Sequence, residues 1–205
     1  MTAPFEVRMA RGGPAAIREA SRFFMHADPV HETLRKIARR LADLQVPYAV
    51  AGGMALVAHG YARTTVDVDI LVTPEGLARI HAELEGRGYL PPFAGSRQLR
   101  DTQTAVNVEF LVSGQYPGDG KPKPVSFPDP ACCAEDLEGI RYLSLPVLIE
   151  LKLASGLSDP GRLKDLADVQ ELIRVRGLEA AFAEKLNPYV RGKFRELWAG
   201  VVKPE

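Results

Sequence analysis

Two short stretches decide the fold of this 205-residue chain: VAGGMAL at residues 50–56 and VDVDILV at residues 66–72. The first has the pattern of a buried strand that ends in a Gly52-Gly53 turn and leads into a helix. The second alternates before it becomes fully apolar, which predicts a strand with one face packed on the core. Because side chains two residues apart on a strand point to the same face, Asp67 and Asp69 are expected side by side.

The neighbouring carboxylates of Asp67 and Asp69 destabilise such a strand unless something offsets their charge. Two anions about 5 Å apart repel each other by roughly 3 kcal/mol at an effective dielectric of about 20. A shared proton, a basic partner or a divalent cation would each offset that repulsion. Arg63 is close enough in sequence to be the basic partner. An Asp-x-Asp pair alone is expected by chance about once in a chain of this length, so its surroundings carry the argument.

The pattern along the rest of the chain predicts an α+β fold, in which a small mixed sheet is backed by helices and followed by a helical C-terminal part. Strands are expected at residues 47–51, 66–72 and 105–112, and helices at 30–44, 54–59, 74–85, 145–154, 160–175, 180–186 and 188–201. Glu109 lies on the third of these strands and shares a face with Asn107 and Leu111. Residues 113–130, rich in Gly, Pro and Lys, are expected to form a long loop.

The chain divides on this basis into three parts. We predict an N-terminal extension at residues 1–27 with a short helix at 15–24, a core at 28–135, and a helical C-terminal part at 136–205. The basic residues on the helix at 30–44 are expected to form a solvated face, and His59 is expected to pack rather than to bind metal; the basic residues are Arg35, Lys36, Arg39 and Arg40.

Composition argues against several classes of protein. Lys+Arg and Asp+Glu number 26 each, so no overall field attracts nucleic acid or an anionic membrane. No run approaches the roughly 18 apolar residues that span a bilayer, and the N-terminus lacks an apolar core of signal-peptide length, so we expect a cytoplasmic protein without membrane contact. The adjacent Cys132 and Cys133 are poorly placed for a mutual disulfide and lack zinc-ligand spacing, so they are expected as reduced thiols.

Taken together, these residues resemble the signature of the DNA polymerase beta-like nucleotidyltransferase superfamily. In that signature a Gly-Gly or Gly-Ser turn and a short helix precede an Asp-x-Asp strand, and a third acidic residue lies on a later strand, here Glu109. Arg63-Thr64, with the runs LIELKLA at 148–154 and RLKDLADV at 162–169, is similar to the AbiEii-type branch. The resemblance covers roughly residues 45–175. It departs twice, because Gly53 stands where many members have serine and Glu109 where aspartate is common.

The resemblance implies a metal-dependent enzyme that moves a nucleoside monophosphate from a nucleoside triphosphate to an acceptor and releases pyrophosphate. Asp67, Asp69 and Glu109 would be the catalytic residues and would hold two Mg²⁺ ions, for which Mn²⁺ is the alternative. Glu109 is the candidate general base. The nucleotide-binding positions implied by the resemblance are Gly52, Gly53, Arg63, Thr64, Lys152 and Lys164. Asp165 and Asp168, three residues apart on a helix, are expected only to cap it or to pair with neighbours such as Arg162.

Several interpretations of the function stay open. The acceptor could be an RNA end, a protein side chain or a small molecule. The three carboxylates favour an enzyme, whereas the glycine at position 53 leaves open a catalytically weak module that binds a nucleotide or a partner. The toxin of a toxin–antitoxin pair is a special case of the enzyme and would have an antitoxin as its partner.

Overall fold

The computed structural model of the chain describes residues 28–201. The predicted N-terminal extension and its helix at 15–24 lie outside these residues, as do residues 202–205. In chain order the helices and strands are α1 (Pro29–Asp43), β1 (Tyr48–Val50), α2 (Gly52–Ala58), β2 (Asp67–Val72), α3 (Pro74–Leu84), β3 (Tyr89–Leu90), β4 (Leu99–Asp101), β5 (Asn107–Val112), α4 (Pro130–Cys133), β6 (Ala134–Leu137), β7 (Ile140–Leu143), α5 (Leu145–Ser158), α6 (Leu163–Arg176) and α7 (Pro188–Val201). Two 3₁₀ turns, at Pro160–Arg162 and Ala180–Lys185, precede α6 and α7.

Local side-chain chemistry sets where the helices around the first two strands begin. Asp28 caps α1, because its carboxylate accepts a hydrogen bond of 2.7 Å from the backbone N–H of Val30. Pro29 follows at the first helical position, where its missing N–H is not needed. Thr73 caps α3 in the same way, accepting from the backbone N–H of Gly76 at 3.0 Å. Aspartate and threonine are both residue types that favour the position before a helix.

The strands form one mixed sheet in the order β3-β4-β5-β2-β1-β7-β6. Near its centre β2 and β5 run in parallel, with Asp67 opposite Asn107 and Asp69 opposite Glu109. Buried apolar residues alternate with partly exposed residues from Asp67 to Ile70 on β2 and all along β5, and the end of β2 is fully buried, as predicted. The parallel register therefore places the three predicted acidic residues on one face of the sheet.

The helices after β7 bring further polar residues to this face. α5, α6 and α7 pack against one another and share one continuous buried core with the sheet. Phe194 of α7 is fully buried and stacks on Phe182 of the second 3₁₀ turn. Because the helices are held together in this way, the polar side chains of α5 and α6 line a cleft together with those of β2 and β5.

The predicted fold class is confirmed, and the differences are local. The sequence missed β3, β4, β6 and β7, which are two to four residues long. Residues 160–162 and 180–185 are 3₁₀ turns, although α-helix was expected there. The division of the chain into three parts stays a prediction; β6 crosses its boundary at residue 135, and the sheet continues to Leu143. Among residues 28–201, no helix has the length and apolar character needed to cross a membrane.

Three smaller expectations can also be compared with the structure. His59 packs as expected, with its Nε2 atom buried 2.7 Å from the carbonyl oxygen of Leu143. Both cysteines are free thiols. On the basic face of α1, Arg39 is exposed to solvent as expected. Lys36 is only partly exposed, and its Nζ atom lies 2.9 Å from Oδ1 of the buried Asp101.

Candidate metal centre

Three carboxylates meet where β2 and β5 run side by side. One oxygen from each of Asp67, Asp69 and Glu109 lies within 4.8 Å of the other two, and all three residues are partly exposed. Oxygen donors of this kind are the ligands that Mg²⁺ and Mn²⁺ prefer in proteins. The fold therefore brings together the three residues predicted to hold metal, because Asp69 and Glu109 pair directly across the two strands.

The electrostatics of this cluster favour a bound cation. Burial, and then the charges of Asp67 and Glu109, raise the pKa of Asp69 to about 7, although Lys152 and Arg162 oppose the shift. Near neutral pH a proton on Asp69 therefore relieves part of the repulsion. A divalent cation would displace that proton and neutralise the cluster more completely, so the donor set fits the expected metal.

Arg63 does not pair with the aspartates of β2 as the sequence suggested. Its Nη1 atom instead lies 3.1 Å from Oδ1 of Asp168 in α6. Asp168 is almost fully buried, so its charge needs close basic partners, and Arg63 is one of them. The charge of the acidic cluster is therefore left for a proton or a cation to offset.

The Gly52-Gly53 turn lies directly against the acidic cluster. Gly52 has a φ of +54°, and the N–H of Ala51 donates to the carbonyl oxygen of Asp69 at 2.9 Å. A Cβ atom at position 52 would lie 1.7 Å from Oδ2 of Asp69, so no side chain fits there. Gly53 is buried, and a Cβ atom at that position would lie 2.6 Å from Oγ1 of Thr65. Both glycines are thus required by close approach to neighbouring side chains.

A buried cluster of ion pairs lines the same cleft. The ammonium of Lys152 on α5 lies 2.9 Å from Oδ1 of Asp165 and 2.7 Å from Oδ2 of Asp168, both on α6. Arg162 also pairs with Asp165, at 2.9 Å, as the spacing predicted. Burial alone would raise the pKa of Asp165, but Lys152 and its other partners hold that pKa below its usual range. Together with Arg63, this cluster ties α5, α6 and the segment before β2 to one another.

All the predicted site residues line one cleft of about 710 Å³: Gly52, Gly53, Arg63, Thr64, Asp67, Asp69, Glu109, Lys152 and Lys164. Their surroundings differ. Lys164 is exposed and forms no ion pair with any residue in 28–201. Lys152 already contacts two carboxylates, so the structure places it in the ion-pair cluster, and its predicted contact with phosphate stays a prediction.

Other residues of the cleft were missed from the sequence. Thr65 lies two residues before Asp67, so the alternation that paired the aspartates could have indicated it. Tyr116, Gly118 and Phe127 reach the cleft from the long loop that was expected at 113–130, and Arg97 reaches it from the segment before β4. No local pattern reveals these four positions, because their place depends on how the loops fold back over the sheet.

The comparisons with known proteins bear on the fold. No family profile and no curated protein sequence matches the chain. It is similar to ANT(2″)-Ia, crystallised in complex with adenylyl-2″-tobramycin, with a TM-score of 0.52 and 14% identity over 82% of this chain and 98% of that one. Lower similarities are found to an antigenic nucleotidyltransferase-like protein from Paracoccidioides brasiliensis (TM-score 0.45, 14% identity, 70% and 74% covered) and to JHP933 from Helicobacter pylori (0.45, 19%, 84% and 79%).

These comparisons give the chain a nucleotidyltransferase-like fold, as the sequence predicted. The similarity to ANT(2″)-Ia, at a TM-score of 0.52 and 14% identity, establishes the fold and not the reaction. The acidic cluster of Asp67, Asp69 and Glu109 is a separate observation, made on the residues of this chain and not on its similarity to other proteins.

The contact between Gly52 and Asp69 leads to a first prediction. Gly52→Ala should displace the carboxylate of Asp69 and weaken Mn²⁺ binding by about tenfold or more. Gly86→Ala is the matched control, because Gly86 also has a positive φ, +73°, but has open space around it. Backbone strain should cost both variants roughly 1 kcal/mol of stability, and the contact with Asp69 should add to the loss in Gly52→Ala. Calorimetric Mn²⁺ titration and thermal melts measure the two effects, and equal Mn²⁺ affinity in both variants would contradict the steric argument.

The raised pKa of Asp69 leads to a second prediction. In the metal-free protein Asp69 binds a proton more tightly when folded, so its contribution to stability is complete below about pH 4 and is lost as pH rises through about 7. Asp69→Asn should therefore raise the free energy of unfolding at pH 8 by roughly 1–3 kcal/mol and change it little at pH 4. Urea unfolding at both pH values measures this, with the exposed Asp43→Asn as the control. A destabilised Asp69→Asn protein at pH 8 would refute the assignment.

Proposed function

We propose that this chain is a metal-dependent nucleotidyltransferase, which transfers a nucleoside monophosphate from a nucleoside triphosphate to an acceptor hydroxyl and releases pyrophosphate. One observation carries the proposal. Three carboxylate oxygens lie within 4.8 Å of one another beside a cleft of about 710 Å³, a volume in the range of small-ligand sites. A cluster of this kind is unfavourable for the metal-free chain and suits a reaction that uses a divalent ion.

The acidic residues divide the chemistry between them. Asp67, Asp69 and Glu109 would hold the metal, with two Mg²⁺ ions expected and Mn²⁺ as a substitute. Such ions, when bound, neutralise the triphosphate and lower the pKa of the attacking hydroxyl. A carboxylate oxygen of Glu109 accepts the proton of that hydroxyl. The acceptor oxygen forms a bond to the α-phosphorus as the bond from that phosphorus to its bridging oxygen breaks, and pyrophosphate leaves with the electron pair.

The triphosphate would lie towards the start of α6. Lys164 and Arg162 are exposed there, and Lys164 has no carboxylate partner among the described residues. An unpaired ammonium is available to phosphate oxygens in a way that the doubly paired Lys152 is not. Arg63 and Thr64 line the same cleft, and their nucleotide contacts remain part of the proposal.

The acceptor would approach from the other side of Glu109. A second cavity of about 310 Å³ adjoins the cleft there, and both are lined by Arg97, Glu109, Leu111 and Phe127. A hydroxyl bound at this junction would meet Glu109, while the apolar and aromatic side chains contact the rest of the acceptor. An RNA end, a protein side chain and a small molecule all remain candidates.

Transfer of label tests the proposed reaction directly. The full-length protein with Mg²⁺ and each of four α-labelled nucleoside triphosphates is incubated with total RNA, total protein or a small-molecule extract. We expect label on one fraction together with pyrophosphate release, and a loss of about 10²–10⁴-fold in Asp69→Asn and Glu109→Gln, because metal binding and proton transfer are both impaired. The exposed Asp43→Asn is the control and should retain full transfer.

The same assay has two outcomes against the proposal. Transfer that survives in both Asp69→Asn and Glu109→Gln would place the reaction elsewhere. Absence of label from every fraction, with magnesium and nucleotide still bound, would support a nucleotide-binding or partner-binding module of the same fold instead.

A narrower proposal follows from the resemblance to the AbiEii-type branch. On that basis the enzyme would act in the cytoplasm as the toxin of a toxin–antitoxin pair, with an antitoxin protein as partner. Induced expression in a bacterial host should then arrest growth, and Asp67→Ala, which lacks a ligand of the metal centre, should not. Arrest that persists with Asp67→Ala would count against this role, and so would normal growth with the wild-type chain.

A further inference from the structure

Thr65 is the residue of the cleft that the proposed mechanism has not used. It precedes β2, and only 7% of its surface is exposed. Its hydroxyl donates a hydrogen bond of 2.8 Å to Oδ1 of Asp67. Within residues 28–201, Asp67 is the one member of the acidic cluster whose side chain accepts a hydrogen bond from the protein. Thr65 therefore contacts one of the three carboxylates that would hold the metal, and that carboxylate belongs to Asp67.

The position of Thr65 is coupled to the glycine at position 53. A Cβ atom added to Gly53 would lie 2.6 Å from both Cβ and Oγ1 of Thr65, and real Cβ atoms essentially never approach other atoms so closely. A side chain at position 53 and the side chain of Thr65 thus exclude each other. Thr65 occupies the space that a side chain at position 53 would take, which explains why glycine stands there. The cleft still has a hydroxyl at this place, because Thr65 provides one where serine at position 53 would.

The hydrogen bond has a direct consequence for a metal ligand. Because Oδ1 of Asp67 accepts this bond, the plane of the carboxylate is restrained, while Oδ2 accepts no hydrogen bond within residues 28–201 and would be open to a cation. Threonine suits this task because its branched Cβ restricts χ1, so little rotamer freedom is lost when the bond forms. Hydrogen bonds of this kind behind metal ligands typically change metal affinity by about 10–100-fold.

We propose that Thr65 is the positioning residue of the metal centre. Its hydroxyl orients the carboxylate of Asp67, and its side chain fits beside position 53 because that residue is glycine. The inference rests on the proposed metal-dependent function. It adds a residue that acts on the metal through Asp67 and that need not touch the nucleotide or the acceptor.

Mn²⁺ binding to the full-length, metal-free protein tests the role of the hydroxyl. Electron paramagnetic resonance measures the Mn²⁺ affinity of the wild type, Thr65→Val, Thr65→Ser and Thr102→Val. Thr65→Val keeps the shape and loses the donor, so we expect an affinity about 10–100-fold weaker. Thr65→Ser keeps the donor and should stay within about threefold of the wild type. Thr102→Val is the matched control, since the exposed Thr102 donates its hydroxyl to the carbonyl oxygen of Gly88 and does not line the cleft, and it should leave Mn²⁺ affinity unchanged.

The outcomes distinguish a failure of the role of Thr65 from a failure of the proposed metal-dependent function. Mn²⁺ affinity that is unchanged in Thr65→Val, or weakened equally in Thr65→Val and Thr65→Ser, would overturn the role of Thr65 and leave the metal centre standing. A wild-type protein that binds no Mn²⁺ would instead overturn the metal-dependent function itself. In turnover, the Thr65→Val defect should shrink at saturating Mn²⁺, whereas a purely structural defect would persist at every metal concentration.

A double-mutant cycle tests the exclusion between positions 53 and 65. Gly53→Ser should lower the melting temperature because its Cβ atom meets Thr65. In Gly53→Ser combined with Thr65→Gly that contact is gone, so the combined loss should be smaller than the sum of the single losses. Strictly additive losses would contradict the steric coupling.

Discussion

The repulsion among three carboxylates is the constraint on which the rest of the site depends. Asp69 and Glu109 are paired directly across parallel strands, and Asp67 lies two residues along the same face. Such a cluster is unfavourable in the folded chain, as the raised pKa of Asp69 shows. A sheet selected for stability alone would place polar neutral or apolar side chains there. The cluster is therefore the feature on which the proposed metal-dependent function rests.

The surrounding structure keeps the cluster open while balancing charge elsewhere. Gly52 provides a backbone without a side chain at the point where Asp69 comes closest, and Thr65 donates a hydrogen bond to Asp67. The other buried charges of the cleft are paired among themselves, so that Lys152 binds the two aspartates of α6 rather than those of β2. In residues 28–201 the three carboxylates of the acidic cluster therefore form no ion pair, in contrast to Asp165 and Asp168.

The sequence revealed the centre of the molecule better than its edges. The alternation around Asp67, Asp69 and Glu109 predicted one acidic face, because the period of two is a property of any strand with a buried side. It could not reveal the two-to-four-residue strands β3, β4, β6 and β7, which are too short to show a period. The partner of Arg63 was also beyond prediction, because Asp168 lies 105 residues away and meets it only when α6 packs beside the sheet. Thr65 could have been found by extending the alternation by one step.

A structure with Mn²⁺ and a non-hydrolysable nucleoside triphosphate tests the central claim most directly, because Mn²⁺ is located by its anomalous scattering. The claim is that Asp67, Asp69 and Glu109 form a metal centre facing the nucleotide. It predicts anomalous peaks about 2.2 Å from oxygens of these three residues, in contact with the triphosphate. Peaks at other residues, or a bound triphosphate with no metal at this cluster, would contradict it.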